Sequence, residues 1–207
     1  MENYILVFIL LNFLLFFLLG KISYKLNLVD FPNKRKIHLK PTAYSGGIIL
    51  SIIFLLSICL FDVVGKDLNL ILSVAFLISI VGLIDDKFQL NTGGKLSLQI
   101  IPIFYLIIFG KLNLTQIGDY KFFLLDLGAF AVPFTLLSVL FLINAFNYFD
   151  GLDGTLSLTS ISVLGILYFL VSDANIKLFL LTLFIPVIIF LFFNFSLFNF
   201  LKLFFGD

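Results

Sequence analysis

The chain has 207 residues, 61% of them hydrophobic and 12% charged, with a mean hydropathy of +1.20. Soluble domains carry about 25% charged residues, so this chain has too little polar surface to cover a globule of its size. Its 13 basic and 12 acidic side chains nearly cancel. That balance offers no field to a polyanion and excludes a nucleic-acid partner, along with a soluble enzyme, a disordered region and a coiled coil. The composition is that of an integral membrane protein. The lone Cys59 and lone His38 exclude an internal disulfide, a cysteine zinc site and a multi-histidine metal site. Any metal must be held by oxygen, which means magnesium or manganese.

A membrane helix needs about 20 mostly apolar residues. In chain order the candidates are Tyr4–Leu19, Gly47–Val64, Leu68–Ile84, Leu96–Phe109, Leu127–Ile143, Leu156–Val171 and Leu178–Phe193. Pro133 and Pro186 fall inside the fifth and seventh, as kinks that membrane helices tolerate; the fourth is short, contains Pro102 and has a re-entrant segment as its alternative reading. The expected fold is all-α: a single polytopic transmembrane domain over residues 1–207 with about seven transmembrane helices. The amino terminus, without a basic n-region or a small-residue cleavage site, reads as a retained anchor.

Between the first two spans lie Lys21, Lys25, Lys34, Arg35, Lys36 and Lys40 against one acid, Asp30. The positive-inside bias puts this loop in the cytoplasm and the amino terminus outside. Alternation then places 85–95, 144–155 and 194–207 inside. Nine of the 13 basic residues fall on that side, and every polar motif joins them.

The first of these loops, VDFPNKRKIHLKPTAYSGG, offers Arg35, Lys36 and His38 as an anion site, with Gly46 and Gly47 allowing close backbone approach. A topology signal that touches anionic headgroups is the plainer reading of its charges. In the second, GLIDDKFQLNTGGKLSLQ, the adjacent Asp85 and Asp86 at a span end need solvation, a partner or a cation. Lys95 can return to the same site. The third, INAFNYFDGLDGT, holds Asn144 and Asn147 three apart, then Asp150 and Asp153 three apart, each Asp followed by glycine. Four oxygen-bearing side chains so close together suit a hard cation or a nucleotide. An ordinary Asx-turn loop explains that much polarity poorly. The last segment supplies Asn194, Lys202 and Gly206-Asp207.

Taken together, Asp30-x-Pro32-x-x-Arg35-Lys36-x-His38-x-x-Pro41 with Gly46-Gly47, Gly82-x-x-Asp85-Asp86, Asn144-Ala-Phe-Asn147-x-x-Asp150-Gly-Leu-Asp153-Gly and Lys202-x-x-Phe205-Gly206-Asp207 resemble a known family. It is the polyprenyl-phosphate N-acetylhexosamine-1-phosphate transferase superfamily, glycosyltransferase family 4. The nearest branch resembles the bacterial UDP-N-acetylglucosamine:undecaprenyl-phosphate transferases (WecA- and TagO-like); the phospho-MurNAc-pentapeptide translocases are more distant.

The resemblance implies a magnesium-dependent membrane transferase of cell-envelope glycan synthesis, such as cell wall or lipopolysaccharide. It would move a sugar-1-phosphate, by default N-acetylglucosamine-1-phosphate, from a UDP-sugar to polyprenyl (undecaprenyl) phosphate, releasing UMP. It implies a multi-pass protein of the inner (plasma) membrane with its active site on the cytoplasmic face, and leaves a homodimer open. By the same resemblance Asp85 or Asp86 deprotonates or positions the lipid phosphate, and Asp207, with Asp153, holds the metal. Arg35, Lys36, His38, Lys95, Asn144, Asn147, Asp150, Asp153 and Asn194 then line the substrates.

Two departures stand out. Position 43 is Ala where the family has a second Pro. Family members also continue beyond Gly-Asp into Gly-Ser, further spans and a later histidine loop. An amino-terminal part of a longer fold is therefore expected, with a truncated, inactive member as the alternative. A polytopic transporter is weaker, because the acids sit at span ends and not at mid-membrane. A CDP-alcohol phosphotransferase lacks support, since no Ala-Arg pair follows Asp150-Gly.

Overall fold

The computed structural model describes residues 2–31, 41–61, 65–119, 124–149 and 152–206. Seven α-helices occur among them: α1 (Glu2–Lys25), α2 (Gly46–Phe61), α3 (Lys66–Phe88), α4 (Thr92–Ile108), α5 (Ala131–Phe149), α6 (Thr155–Leu170) and α7 (Ala174–Asn194). Each contains the bulk of one apolar segment. Most also take in a polar turn that hydropathy alone had trimmed away, because a helix continues for as long as its backbone bonds and caps are satisfied. Asp85, Asp86, Asn144 and Asn147 therefore stand on helices, and Lys95 lies in the first turn of α4.

Four of these helices are long and apolar enough to cross a membrane: 4–25, 66–88, 128–149 (which adds the 3-10 turn before α5) and 174–194. The apolar helices α2, α4 and α6 have 16, 17 and 16 residues. At 1.5 Å per residue they reach roughly 24–26 Å, a little short of the ~30 Å hydrocarbon core. The chain is an all-α polytopic membrane protein.

Pro102 and Pro186 lie within α4 and α7. Pro133 differs from the expected mid-span kink. Because α5 starts at Ala131, Pro133 occupies its first turn, where a missing N–H costs no helical bond. The short strands β1 (Val29–Asp30) and β2 (Thr42–Ala43) pair antiparallel, Asp30 opposite Thr42, so the ends of the first motif loop meet. A second antiparallel pair, β3 (Gln116–Asp119) with β4 (Leu124–Asp126), folds the 110–126 connection into a bulged hairpin that periodicity had not indicated.

Helices α2, α3, α4 and α5 pack in sequence order, while α7 returns to lie against α1, α2 and α6. Of the four long spans α7 is the most enclosed, with 44% of its membrane window buried against 17–22% in the others. The main core joins Phe8 and Phe16 of α1, Ile49 and Ile53 of α2, Val187, Phe190 and Phe193 of α7, and Ala43 and Leu203. The Phe16 ring lies 5.8 Å from that of Phe190 and 5.4 Å from that of Phe193. Part of the phenylalanine excess therefore builds the protein interior. A smaller cluster of Ile103, Ile107 and Leu140 binds α4 to α5.

Candidate active site

Adjacent residues on a helix point about 100° apart, so Asp85 and Asp86 have different surroundings although they are neighbours. Asp85 is buried, at 8% exposure. Its Oδ1 accepts the Leu90 N–H at 3.0 Å, and its Oδ2 lies 2.8 Å from Lys95 Nζ. Its carbonyl accepts the N–H of Gln89, which ends α3 in the left-handed region at φ 50°. Asn91 then caps α4, its Oδ1 accepting from Gly94 N–H at 2.7 Å. The α3–α4 corner is thus closed by its own polar groups, with Asp85 at the centre. Lys95 does return to the acidic pair, as its spacing suggested, and the partner it meets is Asp85.

Asp86 faces the other way. Together with Tyr44, Gly47, Ile48, Ser79, Leu83 and Phe205 it lines a small open cleft between α2, α3 and the carboxyl-terminal segment. Ser79, Leu83 and Asp86 share one face of α3 at helical spacing. Beyond the cleft, Ser79 Oγ lies 2.7 Å from Ser51 Oγ of α2.

The segment 200–206 crosses the amino-terminal end of α2 as an extended strap. Leu203 bridges Ala43, and Phe204 N–H donates to Ala43 O at 2.8 Å. Gly46 and Gly47 N–H donate to the carbonyls of Phe204 and Phe205, both at 2.8 Å. Free first-turn amides attract anions, and the sequence offered this Gly-Gly pair as permitting close backbone approach beside an anion site. Here the strap carbonyls occupy these donors, so the close backbone approach that the glycines allow is made by the chain itself. A Cβ on Gly46 would strike the Phe190 ring and the Phe204 carbonyl. Tyr24 fastens the strap from α1, its hydroxyl donating to Lys202 O at 3.0 Å.

At the end of the strap Gly206 takes φ +81°, and a Cβ there would meet the Tyr44 carbonyl and the Asp86 carboxylate. The Gly-Asp motif is thereby brought to the Asp-Asp motif. The third motif joins through two contacts: Lys202 Nζ pairs with Asp153 Oδ2 at 2.5 Å, and Gly154 N–H donates to Asn194 Oδ1 at 2.6 Å. Asn194 Nδ2 in turn donates to Leu203 O at 2.9 Å. Its amide is thus engaged with backbone at both ends, and the residue is only 2% exposed. Asn144 donates to Leu140 O at 2.8 Å and, more weakly, to Gln99 Oε1 at 3.4 Å. Asn147 stands one turn further along α5, half-buried.

Arg35, Lys36, His38, Asp150 and Asp207 lie outside the described residues. Asp30 and Thr42, which bracket the loop bearing the first three, sit on the pair of strands against which the strap runs.

Tyr44 was not singled out in the sequence, where one tyrosine among seven carries no signal. Burial pushes its phenol pKa up, and the negative charges of Asp86 and Asp30 push it further.

The sequence model of the family described as "Glycosyl transferase family 4" matches residues 68–207, a stretch that runs from α3 through the strap. The chain belongs to glycosyl transferase family 4. It is 32% identical over 166 residues to the undecaprenyl-phosphate alpha-N-acetylglucosaminyl 1-phosphate transferase of Escherichia coli K12, covering 78% of this chain and 45% of that protein. Against the enzyme of the same description from Salmonella typhi it is 33% identical over 156 residues, covering 73% and 42%. Against the phospho-N-acetylmuramoyl-pentapeptide-transferase of Wolbachia pipientis wMel it is 30% identical over 179 residues, covering 79% and 55%. The chain spans about half the length of the curated relatives it matches.

For this family 4 chain, a magnesium ion is the cofactor to weigh against the donors present. The described residues gather no group of three or more acidic, histidine or cysteine side chains. Magnesium does not require one, since it keeps several waters and binds through one or two carboxylates plus substrate phosphates. The carboxylate of Asp86 beside the Tyr44 carbonyl is a hard oxygen set of that kind. Asp153, expected with Asp207 as a metal ligand, is paired with Lys202.

Proposed function

We propose that this chain carries the catalytic motifs of a UDP-N-acetylhexosamine:polyprenyl-phosphate N-acetylhexosamine-1-phosphate transferase, with UDP-N-acetylglucosamine as donor. One observation supports this above all: the strap brings Gly206 to Asp86 and Lys202 to Asp153, so three separated polar motifs meet at one end of an otherwise apolar bundle. Lys202 and Gly206 are four residues apart, so their Cα atoms lie within roughly 14 Å of each other. That distance suits a diphosphate bridged to a nucleotide.

In the proposed reaction an oxygen of the lipid phosphate attacks the β-phosphorus of the UDP-sugar. The bond from that phosphorus to the bridging oxygen breaks, UMP leaves, and a lipid-linked diphosphate sugar remains. A phosphate monoester loses its second proton near pH 6, so the acceptor needs to be held in line more than deprotonated. Asp86 is assigned that task because its carboxylate lines the cleft at which the Gly206 end of the strap arrives. Magnesium, when bound at Asp86 with Asp207, would supply charge neutralisation of the diphosphate. Lys202 supplies a cation for a phosphate oxygen, and Asn147 and Asp150 are assigned to the nucleotide side. The basic first loop orients the site to the cytoplasmic face of the plasma membrane, with the amino terminus outside. There the lipid phosphate arrives from the bilayer and the nucleotide from solution.

The test is formation of organic-extractable label from radiolabelled UDP-N-acetylglucosamine and polyprenyl phosphate in membranes containing this chain. Counts that require magnesium and vanish in Asp86→Asn support the reading. No counts from a chain shown to be inserted, or counts that persist in Asp86→Asn, overturn it.

A further inference from the structure

We infer that Asn194 is a positioning residue, whose amide locks the Asp153-Gly154 turn to the strap so that the two acid-bearing segments keep one relative placement. The inference rests on the proposed reading for its kinetic consequence but on geometry for its substance.

Asn194 is the last residue of α7, the most enclosed of the long spans, and is almost fully buried. Its two polar atoms reach in different directions along the chain. Oδ1 accepts from Gly154 N–H at 2.6 Å, and Nδ2 donates to Leu203 O at 2.9 Å. Leu203 N–H in turn donates to Phe193 O at 3.2 Å, so the strap is tied to the end of α7 by side chain and backbone together.

Gly154 is shaped for this contact. It takes φ +80°, and a Cβ would drive into the ring of Phe195, the residue after Asn194. Only a residue without a side chain lets the turn come this close to the end of α7. The neighbouring residues make the outer contact of the same junction, Asp153 with Lys202. Two adjacent residues of the turn are thus joined to two adjacent residues of the strap, Asp153 directly to Lys202 and Gly154 through Asn194 to Leu203. The inner contact is buried and neutral; the outer one is half-exposed and ionic.

The chemistry of an amide explains the choice of residue. One junction needs an acceptor and the other a donor, and asparagine supplies both on a rigid, short side chain. Aspartate has the same shape but only acceptors when ionised, so it would face the Leu203 carbonyl with like polarity. Leucine has similar bulk and neither function. A buried carbonyl or N–H left without its partner is costly enough to release the turn without unfolding the bundle. A substrate contact through the same amide, the role first expected of Asn194, would have to reach a side chain that is only 2% exposed.

The experiment compares wild type, Asn194→Asp and Asn194→Leu in detergent or membranes by hydrogen exchange and, in parallel, by transferase kinetics. The expected result is faster exchange in residues 152–158 and 200–206 together, with the core of α1, α2 and α7 still protected. The expected kinetic result is a fall in kcat of about 100-fold, the scale of a 1 Å misplacement, with KM for the UDP-sugar unchanged. Unchanged exchange in either segment overturns the inference. So does a raised KM with kcat retained, which marks a direct substrate contact. Loss of protection throughout the bundle also overturns it, by making Asn194 a general stability residue. If wild type shows no transfer, the functional reading fails and the exchange comparison alone decides the role of Asn194.

Discussion

Gly206 lies directly against Asp86: a Cβ on the glycine would come within 2.5 Å of the carboxylate Oδ2. The two residues belong to opposite halves of the chain, and the strap that joins them is laid down by Ala43, Gly46 and Gly47 through four backbone contacts. The Asp86 cleft therefore exists only when the carboxyl-terminal segment is docked. Its geometry depends on glycines at both partners.

Replacing Gly206 by Ala combines a left-handed φ, which costs about 1–2 kcal/mol for a residue with a Cβ, with a collision at the Asp86 carboxylate. The expected outcome is near-complete loss of lipid-linked product at a thermal midpoint lowered by only a few degrees. Retained product formation in membranes, measured at matched protein level, goes against this placement.

Asp85 and Asp86 are predicted to fail differently. Asp85→Asn leaves Lys95 beside a neutral amide at a buried position, and breaking such a pair from one side costs roughly 3 kcal/mol, the lower end of the usual range. Asp86→Asn changes a carboxylate that lines the cleft and is expected to abolish transfer. Thermal unfolding in detergent, run beside the assay, separates the two.

The Lys202–Asp153 pair is half-exposed, with side chains 31% and 39% accessible. Pairs of this kind contribute about 0–1 kcal/mol to stability, so Lys202→Met and Asp153→Asn should unfold near the wild-type temperature. Both are expected to lose most of their transfer activity. A double-mutant cycle on stability should give a coupling inside that small range, and a larger coupling contradicts the exposed geometry.

Tyr44 gives a pH prediction with a definite sign. Its pKa is raised in the fold by burial and by the charges of Asp86 and Asp30. Below about pH 10, the ordinary tyrosine value, both folded and unfolded chains hold the phenol neutral and its contribution is fully present. Above it the unfolded chain ionises first, so stability falls as pH rises through the folded-state value. Tyr44→Phe is expected to flatten this alkaline loss. Equal alkaline slopes for the two proteins in detergent contradict it.

Much of the fold was legible because hydrophobicity is local and additive. Seven apolar runs announced seven helices, and clusters such as Asp85-Asp86 stood out because charge is costly beside a hydrocarbon core. The helix ends were less legible. Asp85 prolongs α3 through its bonds to Gln89 and Leu90 N–H, and Asn91 starts α4; both are capping effects that a hydropathy window removes. Pro133 looked like a kink only because the start of α5 could not be placed. The β3–β4 hairpin was missed because its residues lie in a polar stretch with no alternating pattern long enough to read.

The sequence by itself determined that this is a polytopic membrane protein with its polar motifs at span ends, and the ordered motifs carried the family. Both follow from residue type and order alone. Only the tertiary structure decided which of two adjacent aspartates faces the cleft, since a 100° turn of the helix separates a buried corner from an open site. It also decided that Gly46 and Gly47 receive the strap, that Lys202 meets Asp153, and that Asn194 is held by backbone on both sides. Each of these is a contact between segments far apart in sequence. Hydrogen bonds and close approaches have a reach of a few ångströms, so they are fixed only when α7 and the strap return across the other helices.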